Sequence, residues 1–478
     1  MTADMTPRRT LRFRLALVAG KLASLALRIT GRAGGQMPGV VAEAVCPDFL
    51  ARMPKPAKTV FVTGTNGKTT TSNLLDDILI ANGFDLITNR NGGNIITGIE
   101  SSLIRESTLS GAPRKDTACM ELDELSCRRV LGPMPPDVLL VCNLYRDNFT
   151  RNADPDYIFG VIDAAAPADT HLILNADDLI SCRVAPQAAH RTYFSIDRLP
   201  DDLPGPEGIV CDLTACPVCG GALSYDWCHL RHLGRAHCEG CGFTNPAPDY
   251  LVTRVDRAAG TFTLRELCHE GEPECTYQMG AYSITNLYNL VAATVTAREL
   301  GVSAADLERT FASGAVAITS ARFSERTVAG TRLVNIAAKG ENSTATSATL
   351  ATVCREPGDK CVALMLSDYY LATSKTRTEF TGWYYQADFE NLAAADVKQV
   401  IIQGATADDL LLRLLMAGIP EERIHVVESV EEAAEAVRLD EVGSVFCAYD
   451  IFNGPQAEDF RDRVSKRLEA VGESGSAA

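Results

Sequence analysis

The sequence predicts an α/β protein in two parts. The first is an open parallel sheet with a phosphate-binding loop and an inserted four-cysteine ribbon, and the second is a smaller α/β domain. Three observations predict this. The apolar run Val60-Phe61-Val62 ends in a glycine-bracketed turn and a Lys-Thr pair, and a helical stretch follows. Two Cys-x-x-Cys pairs stand eighteen residues apart. From Arg332 a second series of strand and helix patterns begins. At 478 residues the chain is long enough for two or three cores. Its 46% hydrophobic and 22% charged residues are ordinary for a globular protein. A formal charge of −16 argues against a nucleic-acid binder, whose footprint is basic.

Residues 1–45 read as an N-terminal helix and linker. Basic residues precede Leu15-Ala16-Leu17-Val18-Ala19, as in a targeting signal, but Lys21 and Arg28 interrupt the apolar stretch. No run reaches the length that spans a bilayer. Leu15, Val18, Leu22, Leu25 and Ile29 recur at helical spacing, with Arg14, Lys21 and Arg28 off that stripe. An amphipathic helix packed on the first domain is expected, with a membrane-surface helix as the alternative. Gly31 to Phe49 reads as a Gly/Pro-punctuated linker.

The first domain is expected over residues 46–320. Lacking Cβ atoms, Gly64 and Gly67 let the backbone curl so that successive N–H groups face one anion. The helix beginning near Lys68 adds its unpaired N–H groups and the positive end of its dipole. Gly64, Thr65, Asn66, Gly67, Lys68, Thr69 and Thr70 are therefore candidate contacts for the phosphates of a nucleotide. Lys68 can reach the outer phosphates, and the Thr69 hydroxyl can ligate Mg²⁺. The general Walker pattern would place a Gly at position 62, where this chain has Val. The alternative is a structural strand-to-helix turn with a chance Lys-Thr.

Further strands are expected at Cys119–Met120, Val138–Asn143 and His171–Leu174. Polar residues gather just past strand ends, at Asn89–Gly98, Glu121–Glu124, Leu144–Asp147 and Asn175–Asp178. That is the pattern of an open parallel sheet binding ligands at its carboxyl edge. Glu121 is the candidate second Mg²⁺ contact, since such an ion takes one or two carboxylates. The alternative is an acid held by a helix N-terminus, the simpler role expected for Asp123 and Glu124. Arg146 and Asp147, at another strand end, are considered for a substrate role.

Cys216-Pro217-Val218-Cys219 and Cys238-Glu239-Gly240-Cys241 have zinc-ribbon spacing. Each knuckle would give two thiolates to one tetrahedral Zn²⁺, with Gly220 and Gly242 forming the tight turn behind. Two disulfides are the alternative. The insertion is placed at about 211–248, and His229, His232 and His237 within it are expected to be surface or stacking residues. Cys119, Cys142, Cys361 and Cys447 sit in apolar runs and read as small buried hydrophobes.

After the ribbon come strands at Tyr250–Val255 and Thr261–Leu267, then a helix through Asn286 and Asn289 to Leu300. The second domain, residues 321–478, is expected to place strands at Leu333–Ala337, Val362–Leu366, Val400–Gln403, His425–Val427 and Val445–Ala448. Its last helix spans Gln456 to Val471. The layout is Rossmann-like, but no G-x-G-x-x-G follows the first strand, so no dinucleotide is implied.

GTNGKTT at 64–70 resembles the compact loop of the Mur ligase superfamily, ATP-dependent amide-bond formers. With the ribbon and the short C-terminal domain, nearly the whole chain resembles the MurT family, the ligase subunits of lipid II isoglutaminyl synthase. GRAGGQMPG, NLYRDNFTR, LNADD, HLG before the second knuckle and Trp383 to Leu392 also match. The resemblance implies that Asn286 or Asn289 meets the adenine, a helix cap being the alternative for Asn286. It implies that Arg322, in a hinge stretch, and Lys339, past the first C-terminal strand, approach the phosphates. For Lys339 the alternative is a solvated loop lysine.

The activity implied is ATP-dependent amidation of the D-glutamate α-carboxylate of lipid II through an acyl phosphate. Ammonia would come from a GatD-type class I glutaminase partner, in the cytoplasm at or near the inner face of the cell membrane. Another Mur-fold carboxylate–amine ligase and a nucleotide-binding scaffold are the rival readings. Three positions depart from the family pattern. Ala321 replaces a Gly, and Lys339-Gly340-Glu341-Asn342-Ser343 stands where K-N-P-x-G is usual. An Asp-rich segment is replaced by residues 376–386, with Gln386 at one acidic position, Glu379 nearby and Asp388 retained. An intact ATPase centre is therefore expected, and coupling to a glutaminase is the function that these departures touch.

Overall fold

The computed structural model describes residues 10–31, 35–90, 93–147, 154–280, 282–316, 323–338, 341–366 and 379–476. The chain forms two compact units. The first comprises Met1–Tyr145, Asp154–Glu207 and Cys211–Ile318, and the second Arg146–Ala153, Gly208–Val210 and Thr319–Ala478.

The first unit is built on a nine-stranded sheet. Its strands in chain order are β1 (Lys58–Thr63), β2 (Leu86–Ile87), β3 (Thr117–Glu121), β4 (Val138–Val141), β5 (His171–Asn175), β6 (His190–Ile196), β9 (Tyr250–Asp256), β10 (Thr261–Glu266) and β11 (Glu274–Gln278). The hairpin β7 (Ser224–Leu230) and β8 (Leu233–His237) stands apart as a two-stranded sheet. The order across the large sheet is β11-β10-β9-β6-β5-β4-β1-β3-β2, parallel as far as β9 and antiparallel beyond it. β1 lies centrally and is buried everywhere but at Lys58, which fits its continuous apolar run. Alternate residues feed opposite layers. Phe61 joins Phe13, Met120 and Leu139 on one face, and Val60 and Val62 join Leu75, Ile78 and Val291 on the other. On that second face the P-loop helix, Lys68–Ala81, packs beside the helix Ile284–Glu299, which is buried nearly all round. The sequence pattern passes over β6 and both edge strands, β2 and β11.

The N-terminal region corrects two expectations. The helix Leu11–Ile29 forms, capped by Thr10, but it packs by the face opposite the apolar stripe. Phe13, Ala16, Leu17 and Gly20 turn inward, while Leu15, Val18, Leu22, Leu25 and Ile29 are exposed. Close approach selects this face. Phe13 stacks on Phe49 with ring centroids 5.2 Å apart, and a Cβ on Gly20 would lie 2.8 Å from the end of Ile104. The expected linker contains a helix, Met37–Val45, with Pro38 in its first turn, where the missing N–H costs nothing. Gly39 rests on the Thr97 carbonyl so closely that a Cβ would stand 2.0 Å from that oxygen.

The helix Ile96–Arg105, beneath this assembly, buries Glu100 to 1% exposure, and neither carboxylate oxygen has a well-formed hydrogen bond. Burial first, and then the Glu43 charge, push its pKa from 4.5 up to about 8. The folded state thus binds this proton more tightly than the unfolded chain does. Its contribution is complete below about pH 4.5 and is lost as pH rises through about 8. We expect the Tm of the native chain to fall by several degrees between about pH 6 and pH 9. Glu100→Gln should flatten that decline, and parallel profiles in thermal melts would refute the assignment.

The second unit has a six-stranded sheet of β12 (Phe323–Val328), β13 (Thr331–Ala338), β14 (Lys360–Met365), β15 (Val397–Gln403), β16 (Ile424–Val427) and β17 (Ser444–Asp450), in the order β12-β13-β17-β14-β15-β16. All neighbours are parallel except the β12–β13 hairpin. Its turn residues Ala329 and Gly330 both have positive φ, 47° and 87°. The strand pattern thus starts one strand before Arg332, and Phe323–Glu325 of the expected hinge stretch belong to β12. Trp383, Tyr384, Phe389 and Leu392 lie in the core, so much of the Trp383–Leu392 match is packing. The closing helix runs Gly454–Ser476. Among the described residues no helix is long and apolar enough to cross a membrane.

Candidate nucleotide site and cysteine cluster

The loop after β1 is held by the residues following the neighbouring strand β4. Thr65 N–H donates to Asn143 O (2.9 Å), and Asn66 N–H donates to the Asn143 side chain (3.0 Å). That side chain returns a bond from its Nδ2 to Asn66 O (2.9 Å). Thr65 Oγ1 donates to Tyr145 O and accepts from Tyr145 N–H. Gly64 and Gly67 have φ of 129° and 82°, and Gly67 caps the P-loop helix in the left-handed conformation. A Cβ on Gly64 would press on Asn143 O at 2.8 Å, and one on Gly67 would strike Asn289 Oδ1 at 2.1 Å. Thr69 is exposed in the first turn of the helix, and Thr70 is half-buried.

Lys68 is only 8% exposed, and its ammonium lies under the loop. It donates to Gly64 O (2.6 Å) and is paired with Glu124 Oε1 (2.6 Å). Glu124 does open the short 3-10 turn Glu124–Ser126, as expected of a helix-terminal acid, but its side chain is 1% exposed and also answers the loop lysine. Asp123 does keep the simpler role, accepting from Ser126 N–H (3.3 Å) as the cap of the next turn. Glu121 pairs in register with Val62 at the carboxyl edge of the sheet. Asn94 Nδ2 donates to its carboxylate (2.8 Å), and Asn89 brackets its backbone. Its carboxylate and the Thr69 hydroxyl are hard oxygen donors of the kind Mg²⁺ takes. The sequence pattern marks Asn89–Gly98 as a polar stretch at the ligand edge without singling out Asn89 or Asn94, and it misses Glu124 and Asn143 as partners of the loop. The polar residues past strand ends were the available clue.

Asn289, one turn into its helix, accepts from Thr71 Oγ1 (3.1 Å) and lies against Gly67. Asn286 is not the helix cap. Ser283 is, and its hydroxyl accepts from Asn286 N–H (3.1 Å). Arg322 and Lys339 lie outside the described residues. Arg146 and Asp147 pack within the second unit, where Arg146 donates to Gln386 Oε1 (3.0 Å) and Asp147 accepts from Asn342 (2.9 Å). Asp388 accepts from Ile209 N–H (2.8 Å).

The four ribbon cysteines converge, their sulfurs all within 4.8 Å of one another. Cys216 and Cys241 are 3.6 Å apart, and Cys219 and Cys238 are 3.5 Å apart. A disulfide would need about 2.05 Å. Tetrahedral bonds of about 2.3 Å to one ion put sulfurs about 3.8 Å apart, so the donor set fits zinc. Gly220 and Gly242, both at φ 73°, close the two knuckles. The histidines between them are not ligands, and two are buried rather than on the surface. His232 pairs with Asp178 (3.1 Å) and stacks on Tyr145, and His229 pairs with Asp202 (2.6 Å) and stacks on Trp227. His237 sits half-exposed, 3.5 Å from Asp226. Burial would raise the Asp178 carboxyl, but His232 and the Leu144 N–H hold it below its ordinary value. Asp177 accepts from Ser195, Ile196 N–H and Tyr288. The LNADD stretch is therefore a junction between hairpin and sheet.

A family profile described as MurT ligase C-terminal matches residues 340–450. The MurT subunit of lipid II isoglutaminyl synthase (glutamine-hydrolyzing) from Staphylococcus aureus strain COL is 30% identical over 409 residues, covering 84% of this chain and 88% of that protein. Its counterpart in Streptococcus pneumoniae R6 is 27% identical over 458 residues, covering 95% and 97%. Among solved structures, a pseudomurein peptide ligase type C from Methanothermus fervidus has a TM-score of 0.64 at 19% identity, covering 88% of this chain and 81% of that one. The MurF ligase of Thermotoga maritima in complex with ADP gives 0.55 at 16%, covering 91% and 84%. These likenesses show the Mur ligase fold. Identity of 30% held over 88% of a relative's length shows more: the chain belongs to the MurT family, ATP-dependent ligases that act as the synthetase subunit of an amidotransferase.

Proposed function

We propose that this chain uses ATP to activate the α-carboxylate of D-glutamate in lipid II and converts it to D-isoglutamine, with ammonia supplied by a GatD-type glutaminase. The observation that carries the reading is the loop lysine, buried and aimed beneath residues 64–67 in a member of the MurT family. A carboxylate is a poor electrophile. Attack of its oxygen on the γ-phosphorus of ATP releases ADP and makes an acyl phosphate. The nitrogen lone pair of ammonia then attacks the acyl carbon, phosphate leaves with the C–O electron pair, and the nitrogen loses a proton. Catalysis of such a transfer is mostly positioning and charge stabilisation. With the Thr65 and Asn66 N–H groups held by Asn143, the N–H groups that open the P-loop helix cradle the phosphates, and Lys68, exchanging Glu124 for phosphate oxygens, offsets the charge on the transferring group. Thr69 and Glu121 would hold Mg²⁺, which supplies further neutralisation of the phosphates. Asn286 and Asn289 are the proposed adenine-side contacts, and Arg322 and Lys339 the proposed cations brought in when the site closes. The four-cysteine cluster would hold a structural Zn²⁺.

Gln386 favours a second reading, in which the ligase is retained and glutaminase coupling is lost. An amide stands where the family pattern carries an acid, and it accepts from Arg146. Co-purification with a class I glutaminase, followed by ADP release with lipid II, separates the readings. Turnover with glutamine is the expected result. Turnover with ammonia alone would select the uncoupled ligase. Absence of turnover with either source, despite ATP binding, would overturn the ligase reading in favour of a scaffold.

A further inference from the structure

The helix Leu11–Ile29 has two apolar faces, and only one is covered by the chain. Leu11, Leu15, Val18, Leu22, Leu25 and Ile29 recur at spacings of three and four and are 45–76% exposed. They form a row along a helix about 28 Å long. In a chain of formal charge −16, no acid occurs between Asp4 and Glu43. Arg12, Arg14 and Arg28 are exposed on this helix, the Arg12 Nε also donating to Val45 O, and at helical spacing Arg12 falls on one side of the row and Arg14 and Arg28 on the other. Lys21 instead donates to Ile104 O and Ser107 O, fixing the helix to the first unit.

We propose that this row lies in the boundary between headgroups and acyl chains of an anionic bilayer. An apolar face bordered by arginines is the chemistry that such a surface takes, with guanidinium groups reaching back to lipid phosphates. The helix does not have the length and apolarity to span the membrane. Pairing with a second copy would set rows bordered only by cations against each other, whereas anionic lipid answers those cations. The inference deepens the proposed function, and the interest of a lipid surface rests on that reading. The helix chemistry is nevertheless tested without substrate.

The test is flotation of the full chain with vesicles of phosphatidylcholine containing roughly 30 mol% phosphatidylglycerol. The native chain should float with these vesicles, and several-fold less with pure phosphatidylcholine or in about 0.5 M salt. Leu15→Glu/Leu22→Glu, at exposed positions, should reduce flotation by about tenfold or more with an unchanged thermal melt. Native chain left at the bottom of the gradient, or a double variant that floats as well as the native chain, would overturn the inference. So would a concentration-dependent dimer that forms without vesicles and is abolished by the double variant, which would assign the face to a second copy. ATP affinity, measured by calorimetry on both proteins, reports separately on the ligase reading.

Discussion

Lys68→Ala should lower ATP-dependent turnover by about 10²–10³-fold or more, the scale of losing a preorganised charge-stabilising donor in a water-poor site. The expectation has a structural complication that also supplies its control. Lys68 and Glu124 form a buried pair, with side-chain exposures of 9% and 1%. Removing one partner leaves an uncompensated buried charge, which costs about 3–5 kcal/mol. A simple alanine variant can therefore lose activity by losing stability. Lys68→Ala/Glu124→Gln removes the orphaned charge and should recover much of the lost Tm without recovering turnover. Turnover restored along with Tm would mean that the lysine acts only as a structural counter-ion. Full turnover in Lys68→Ala would end the account of residues 64–70 as the nucleotide loop. Glu124→Gln alone should keep nucleotide binding, because the phosphates replace the carboxylate as the partner of Lys68.

The contrast between Lys68 and Glu124 shows where reading residues in order succeeds and stops. β1 and its loop were legible because a central parallel strand must be apolar on both faces and a left-handed Gly67 admits few substitutes. Glu124 was not, since Glu121-Leu122-Asp123-Glu124 offers three acids and the pattern does not say which turns inward. That is decided by Asp123, whose capping of Ser126 N–H directs the next residue back under the loop. Periodicity likewise found the helix Leu11–Ile29 and assigned it the wrong packing face. Hydrophobicity ranks leucines above Ala16 and Gly20, but it is the small residues that let the helix approach Ile104 and Pro38 closely. β12 was passed over because Phe323-Ser324-Glu325-Arg326-Thr327-Val328 is an edge strand with charges among its apolar residues. The buried histidines His229 and His232 depend on carboxylates distant in sequence, Asp202 and Asp178, which no local pattern connects to them.

Metal removal is the other perturbation with a large expected effect. Structural zinc in small fingers contributes apparent binding free energies of about 10–16 kcal/mol, comparable to the whole stability of many domains. Metal analysis should find one zinc per chain. Chelation, or Cys216→Ser with Cys238→Ser, should lower the Tm by several degrees or more. The loss should be local, because the hairpin has other attachments to the sheet. Gly234 N–H donates to Asp177 O, Asn245 donates to Ala176 O, and His232 meets Asp178. Hydrogen exchange should therefore accelerate first at the two knuckles, where Cys216 N–H and Cys238 N–H bond to Gly221 O and Phe243 O, while β1 and the P-loop helix stay protected. ATP affinity should change little. The hairpin and the loop are not independent, however, since Asp178 also accepts from Leu144 N–H, beside the Asn143 and Tyr145 that hold Thr65. Should exchange spread from the knuckles through residues 174–178 to the loop, with ATP affinity falling in step, the ribbon is a brace of the nucleotide site. Folded protein without metal, its knuckles still protected, would remove zinc from the account altogether.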